Sequence, residues 1–407
     1  MTNKKCLVCA APLSPFISYG RMPIANGFLP RDKFAEEYFF EMRVAYCPSC
    51  HMVQLIEQPE REMMFNENYA FFSGTSTTMT AHFQRFAQDV MRDYLGSDPF
   101  VVEIGSNDGI MLKNFAEKKI RHLGIEPSAN VAKVASERGI KTVSRFFEKD
   151  LAREILAEHG QADAFLAANA MCHIPYAHSI AEGVKILLKP EGVMIFEDPY
   201  LGDVLEKTSY DQIYDEHVFL FSVQSISQLF ARHGLEVIDV KAQGTHGGSM
   251  RYFIAHKGAR PISASVGAQI KKEKKLGLDE PKTYDKFRRN CERSRDELKK
   301  LLLDLKKQGR RVAGYAATSK STTITNYCGI TTDLVEFISD TTPIKQGKFS
   351  PGVHIPVLPY EKFKEKYPDY ALLFGWNHFE EITRKEQGFR DAGGKWILYV
   401  PKVHVLN

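Results

Sequence analysis

The sequence predicts a three-part α/β chain: an N-terminal zinc-binding domain, a central Rossmann-like sheet with helices on both faces, and a C-terminal Rossmann-like α/β domain. Three observations carry this. Two C-x-x-C pairs stand before residue 51, apolar runs alternate with helical stretches over residues 75–255, and the alternation resumes after a charged stretch at residues 271–282. Strands separated by helices pair in parallel, with both sheet faces covered.

At 407 residues the chain is long enough for two or three domains. Hydrophobic residues at 43% and charged residues at 26% exclude a disordered or fibrous class. The net charge of +4 is small for this length and forms no stripe, so no nucleic-acid partner is expected. No apolar run approaches the roughly 18 residues of a membrane span. The first twenty residues lack a signal peptide's apolar core, and seven cysteines do not make a disulfide scaffold. A reducing, cytoplasmic setting and a monomer or weak oligomer are the expectations.

Cys6-Leu7-Val8-Cys9 and Cys47-Pro48-Ser49-Cys50 present four thiolates on two tight turns, which suits a closed tetrahedral Zn²⁺ site. With four protein ligands the metal is structural, stabilising a segment too short to hold itself by burial. Residues 38–46 read as a strand between the knuckles; His51 is an alternative ligand or a surface histidine.

In the middle, residues 78–95 have helical periodicity, 100–104 form a strand, and 112–119 begin the next helix. The strand runs into Glu103-Ile104-Gly105-Ser106-Asn107-Asp108-Gly109. Glycine lets backbone approach a ligand where a side chain would collide, and a strand-end carboxylate suits the amino group of S-adenosylmethionine. A second apolar strand, Leu123-Gly124-Ile125, ends on Glu126 at the spacing of one βαβ step, where ribose hydroxyls lie. Further strands are read at 141–143, 164–168, 193–197 and 235–240.

Ligands of such sheets sit beyond the strand ends. There stand Asn169-Ala170-Met171-Cys172-His173-Ile174-Pro175, Glu197-Asp198-Pro199-Tyr200 and Tyr210-Asp211-Gln212-Ile213-Tyr214-Asp215-Glu216-His217. The apolar run Val218-Phe219-Leu220-Phe221 carries His217 into a packed interior. A histidine beside a carboxylate is held in one tautomer and acts as a base near neutral pH. His173 reads equally as a ligand-facing or a core histidine.

Residues 271–282, with Lys-Lys-Glu-Lys-Lys, read as a solvated helix face or linker and mark a boundary. Residues 284–308 follow as an amphipathic helix. A strand at 311–317 leads to Thr318-Ser319-Lys320 at a helix start, which can hold phosphate through free backbone amides or be a plain N-cap. A strand at 334–338 ends on Ser339-Asp340, followed by Lys345-Gln346-Gly347-Lys348, suited to a diphosphate.

Together the double C-x-x-C, Glu-Ile-Gly-Ser-Asn-Asp-Gly, Gly-Ile-Glu-Pro-Ser, Asn-x-x-x-His-Ile, Phe-Glu-Asp-Pro-Tyr, Tyr-Asp-Glu-His and His246-Gly247-Gly248-Ser249 resemble the S-adenosylmethionine-dependent sugar C-methyltransferases of branched deoxysugar biosynthesis. The likeness covers nearly the whole chain. It implies a zinc-binding domain at 1–68, a class I methyltransferase domain at 69–257 and a Rossmann-like domain at 258–407. The implied substrate is a nucleotide-linked keto-deoxysugar, dTDP-bound, deprotonated beside its 4-ketone and methylated at C-3. By motif, His217 is the preferred base with Glu216 and Tyr214 beside it, and His173 faces the ketone oxygen. Tyr69, within Asn66-Glu67-Asn68-Tyr69-Ala70-Phe71-Phe72-Ser73, reaches the site from the zinc domain. Glu103, Gly105, Asn107 and Gly109 line the methionine and ribose side of the cofactor, Glu126 the ribose diol, and Asn169 the sulfonium. Of Phe146 and Phe147, one flanks adenine and the other enters the core. Lys320, Lys345 and Lys348 meet the diphosphate, and Arg251 serves either pocket. The base stays open among His217, Tyr69 and Tyr214. So do methylation at C-5 or on oxygen, a zinc-ribbon methyltransferase of RNA or protein, and a non-catalytic nucleotide-sugar binder.

Overall fold

The computed structural model describes residues 5–67, 69 and 72–406; Asn68, Ala70 and Phe71 of the tyrosine motif lie outside them. The two cysteine pairs flank the strands Ser14–Pro23 and Phe39–Tyr46 of an antiparallel sheet, which continues with Val53–Leu55 just beyond Cys50 and takes its fourth strand, Phe219–Leu220, from the middle of the chain. The run after His217 thus completes the N-terminal sheet.

The middle sheet has seven strands in the order Leu235–Gln243, Ser249–His256, Leu188–Pro199, Ala162–Ala168, Phe100–Ile104, Arg121–Ile125, Thr142–Val143. The expected parallel pairing holds from Leu188–Pro199 to Thr142–Val143. It fails at Ser249–His256, which lies antiparallel to both its neighbours. Gly247 at φ 87° and Gly248 at φ 134° turn the chain back within a short connection, and adjacent antiparallel strands need no crossover helix.

The C-terminal sheet runs Val357–Pro359, Ile338–Asp340, Val312–Tyr315, Tyr370–Leu373, Lys395–Leu398 in parallel, with His404–Leu406 antiparallel at the edge. The strand expected at 334–338 begins at Ile338, because the buried Leu334 and Val335 hydrogen-bond back to the exposed Thr331 in a turn.

Residues 271–282 are not a linker. They close the helix Ala264–Leu276, turn at Gly277 and enter the 27-residue helix Pro281–Lys307. Glu273, inside the lysine run, is fully buried and accepts from the backbone N–H groups of Val223 and Gln224 and from the Tyr200 hydroxyl. It satisfies free amides at the start of Val223–Ala231, where negative charge is favoured. One apolar core joins Phe16 and Tyr46 of the N-terminal sheet, Tyr210 and Ile213 of the middle, and Tyr284, Leu298 and Ile324 of the C-terminal part. That shared core sets the three sheets around one cleft.

Candidate active site

The cleft, of about 520 Å³, opens between the carboxyl ends of the two parallel sheets. On its middle-sheet side Gly105 has φ 62°, and a Cβ there would stand 2.6 Å from Cβ of Ala170. Only glycine fits so close an approach. The next turn centres on Glu126, a buried carboxylate whose Oε2 accepts from Asn107 N at 3.0 Å and Oε1 from Ser128 N at 2.9 Å. Each oxygen retains accepting capacity toward the cleft. Glu103 stands behind this wall; burial, then the nearby Glu126, push its carboxyl well above the usual range. Its Oε2 has no hydrogen-bond partner among the described residues. A glycine cradle, a cleft-lining carboxylate with spare accepting capacity and a buried acceptor without a partner among the described residues fit an adenosyl-amino-acid cofactor.

Phe146 and Phe147 both line the cleft; Phe146 has the Arg61 guanidinium 4.2 Å from its ring centroid, and Phe147, 4% exposed, also packs on Phe165. Asn169, at φ 50°, lines it too and lies 3.0 Å from Nε2 of His246. Gly109 does not. Its positive φ serves the turn, and its missing side chain makes room for Ile140.

At the centre of the cleft is the segment pinned by Phe219–Leu220. His217 is buried; its Nδ1 lies 2.6 Å from the Gln212 carbonyl, so Nδ1 carries the proton and Nε2 accepts from the Tyr214 hydroxyl at 2.7 Å. Burial, then His173, hold His217 well below its ordinary pKa and therefore neutral. The His173 ring lies 5.2 Å from that of His217; burial lowers its pKa to about 3, and Nε2 has no partner among the described residues. Glu216 accepts from the Tyr69 hydroxyl at 3.1 Å and from Asn26 Nδ2 at 2.6 Å. Burial raises its pKa to about 6, against the pull of Asn26, Tyr69 and Lys345. Asn26 escaped the sequence reading. It belongs to an Asn-Gly turn of the N-terminal sheet, where Ala25 N also donates to Asp215 Oδ1 at 2.9 Å.

On the opposite wall lie Lys320, donating to Asn377 Oδ1 at 2.9 Å, and Lys345, donating to the Ala317 carbonyl at 2.8 Å. Burial lowers both lysines' pKa values. Lys348 and Arg251 fall outside the cleft wall. Arg251 points into the middle sheet, where its guanidinium lies 2.9 Å from Glu197 Oε2 and 3.7 Å over the Phe86 ring. It serves neither pocket, because Glu197 would otherwise be a buried charge short of a cation.

The four N-terminal thiols lie within 4.8 Å of one another, with Cys6–Cys50 at 3.5 Å and Cys9–Cys47 at 3.3 Å. Tetrahedral zinc with bonds near 2.3 Å sets sulfurs about 3.8 Å apart, so the set fits a Cys₄ site. His51 is not among the clustered ligands. The Val8 carbonyl in the first knuckle accepts from His178 Nε2 at 2.9 Å, tying the metal site to the middle sheet's helices.

Among the described residues, no helix is long and apolar enough to cross a membrane. A zinc binding domain family matches residues 6–65, a methyltransferase domain family residues 77–240, and a C-methyltransferase C-terminal domain family residues 244–401. The C-methyltransferase NovU of Streptomyces niveus is 33% identical over 394 residues, 96% of this chain and 94% of its own. Of solved structures, a SAM-dependent methyltransferase from Anabaena variabilis aligns at 18% identity over 43% of this chain and 84% of its own, with a TM-score of 0.34. Magnesium protoporphyrin IX methyltransferase from Synechocystis aligns at 12% over 44% and 79%, with a TM-score of 0.33.

Proposed function

The chain belongs to the C-methyltransferase family, with S-adenosylmethionine as methyl donor and a structural zinc, and from that premise we propose that it methylates a ring carbon of a nucleotide-linked keto-deoxysugar. The reading is of a dTDP-linked 4-keto sugar methylated at C-3, by an enzyme of the cytoplasm. Its three parts, 1–68, 69–257 and 258–407, bring the zinc, the methyl donor and the nucleotide grip.

One observation carries it. A neutral proton acceptor, the Tyr214–His217 pair, stands in the same cleft as the glycine cradle and two buried lysines. A ring carbon is not nucleophilic until it loses a proton, and an adjacent ketone permits that loss by taking the charge as an enolate. A base and an oxyanion partner are both needed. In this reading the proton passes from carbon to the Tyr214 oxygen as the tyrosine's own proton moves to Nε2 of His217. The C–H electrons become the enolate, and His173, neutral with a free ring nitrogen, supports the ketone oxygen by donating to it. Tyr69 and Asn26 hold Glu216 behind the pair. When bound, S-adenosylmethionine supplies an electrophilic methyl carbon for the enolate carbon to attack. Lys320 and Lys345, with the amides at the start of Ser319–Tyr327, hold the diphosphate and so orient the reacting carbon.

Incubation with a dTDP-4-keto-deoxysugar in deuterated water tests the reading. Deuterium is expected at C-3 of recovered substrate, and the product carries a new carbon–carbon bond. Exchange at C-5 moves the reaction to that carbon, and a methoxy product without exchange overturns C-methylation of the sugar.

A further inference from the structure

We propose that His246 is a positioning residue for the methyl donor: its Nε2 takes one N–H of the Asn169 side-chain amide and so leaves the amide oxygen for the sulfonium. This rests on the expectation that Asn169 meets the cofactor at that group. The His246-Gly247-Gly248-Ser249 motif has no other part in the proposed chemistry.

The motif joins two antiparallel strands, Leu235–Gln243 and Ser249–His256, and the connection is pinned along its length. Thr245 donates its hydroxyl to Glu197 Oε1 at 2.8 Å. Gly248 N donates back to the Thr245 carbonyl at 2.8 Å, and the Gly248 carbonyl accepts from Tyr200 N at 3.1 Å. Lys207 Nζ donates to the Gly247 carbonyl. A Cβ on Gly247 would run into the Trp376 ring of the C-terminal part, and one on Gly248 into the Asp203 carboxylate. Between these anchors His246 stands at φ 53° and ψ 20°, in the left-handed region where a non-glycine residue is strained. Such strain persists where a loop must hold one side chain in one place. That place is the cleft wall, which His246 shares with Asn169 and Gln212.

Nε2 of His246 lies 3.0 Å from Asn169 Nδ2. An amide nitrogen only donates, so Nε2 is the acceptor and Nδ1 carries the ring proton. Burial, then the Lys320 charge, lower the His246 pKa to about 3, which keeps the ring neutral. Neutrality decides which end of the amide is left to the cleft. A protonated ring would donate from Nε2, hold the Asn169 oxygen and leave amide N–H groups to face a cation. The neutral ring takes an N–H instead, and Asn169 Oδ1 has no donor among the described residues. Asn169 is itself fixed, at φ 50° with its backbone N–H on the Glu197 carbonyl at 2.7 Å. A partly negative oxygen beside a sulfonium is favourable, most of all where water is excluded.

The backbone of His246 ties this amide to the base. Its carbonyl accepts from Gln212 Nε2, and the Gln212 carbonyl accepts from Nδ1 of His217 at 2.6 Å. Asp211, the preceding residue, accepts from Trp376 Nε1 at 2.6 Å, so the ring that abuts Gly247 also anchors the segment carrying the base. Asn169 and His217 thus hang from one hydrogen-bonded frame.

Isothermal titration of the full chain with S-adenosylmethionine and with S-adenosylhomocysteine, without sugar substrate, tests this, because the two ligands differ by the methyl and the charge at sulfur. His246→Leu is expected to bind S-adenosylmethionine about tenfold more weakly than wild type, and S-adenosylhomocysteine within about twofold of it. The retained S-adenosylhomocysteine binding also reports a folded cradle. Asn169→Leu is expected to show the same selective loss, and the double variant to lose no more than either single one. His246→Gln keeps an acceptor on a side chain of similar reach and is expected to stay near wild type. Equal loss of both ligands in His246→Leu, wild-type binding of both, additive losses in the double variant, or a His246→Gln that behaves as His246→Leu overturns the inference alone. If Asn169→Leu binds both ligands as wild type does, the placement of Asn169 at the sulfonium fails, and the inference falls with it.

Discussion

The Tyr214 hydroxyl donates to Nε2 of His217 across 2.7 Å while Nδ1 of the same ring donates to the Gln212 carbonyl. Both ring nitrogens are thus assigned: Nδ1 is committed to backbone, and Nε2 is basic but reaches the cleft through a tyrosine oxygen. The sequence leaves the base open among His217, Tyr69 and Tyr214. The hydrogen bond joins Tyr214 and His217 into one pair, and the relay proposed for that pair can be tested by experiment.

Tyr214→Phe and His217→Asn are each expected to lower kcat by about 10²–10⁴-fold, the range for loss of a positioned proton-transfer group. Deuterium exchange into the substrate should fall in step. S-adenosylhomocysteine affinity should stay near wild type, because Gly105 and Glu126 lie on a different wall. The double variant should be little worse than either single one, since both break the same relay; additive losses would mean that the two residues act independently.

Glu216 is expected to give the reaction an acid limb. Its pKa is raised to about 6, so it gains a proton as pH falls through that value and loses acceptor capacity for Asn26 and Tyr69. Activity should drop below about pH 6 in wild type and stay flat there in Glu216→Gln. The stability sign runs the other way. A carboxyl whose folded pKa is raised stabilises the fold below its unfolded pKa of 4.5 and loses that contribution as pH rises through about 6. The melting temperature of Glu216→Gln relative to wild type should therefore increase from pH 5 to pH 8. A constant difference would remove Glu216 from the titration.

What could be read from the sequence was local or strictly spaced. The knuckles Cys6–Cys9 and Cys47–Cys50, the glycines before Glu126 and the cluster Tyr214 to His217 each announce themselves within a short window. What could not be read depends on partners far along the chain. Nothing around Asn26 signals that Glu216, 190 residues on, will accept from it. Phe219–Leu220 looks like core for the middle sheet yet extends another one. Glu273 sits in a lysine run whose charge pattern implies solvent, and only the three donors that converge on it explain its burial.

The borrowed strand links the metal to the chemistry. Val53–Leu55, just beyond the second knuckle, pairs with Phe219–Leu220, two residues past His217. One zinc per chain is expected by elemental analysis. Its removal by chelation, or Cys47→Ser, should lower the melting temperature and reduce kcat much more than S-adenosylhomocysteine affinity, because the cofactor cradle is built on the middle sheet. A metal-free chain of full activity would break this link.

Arg251 tests whether a buried cation near a cleft belongs to it. Burial alone would raise the Glu197 pKa, but His82, Arg251 and the Thr245 hydroxyl together bring it down to about 2. Arg251→Met leaves that buried charge short of a partner, at a cost of about 3–5 kcal/mol. Because the folded pKa is depressed, the stabilisation from the ionised carboxylate is present above the unfolded pKa of 4.5 and fades as pH falls toward 2. The stability gap between wild type and Arg251→Met, followed by denaturant unfolding, should be widest above pH 5 and narrow as the solution is acidified. Nucleoside diphosphate affinity should not change at neutral pH. If that affinity falls while stability holds, Arg251 belongs to the binding site after all, and the middle sheet must balance Glu197 by other means.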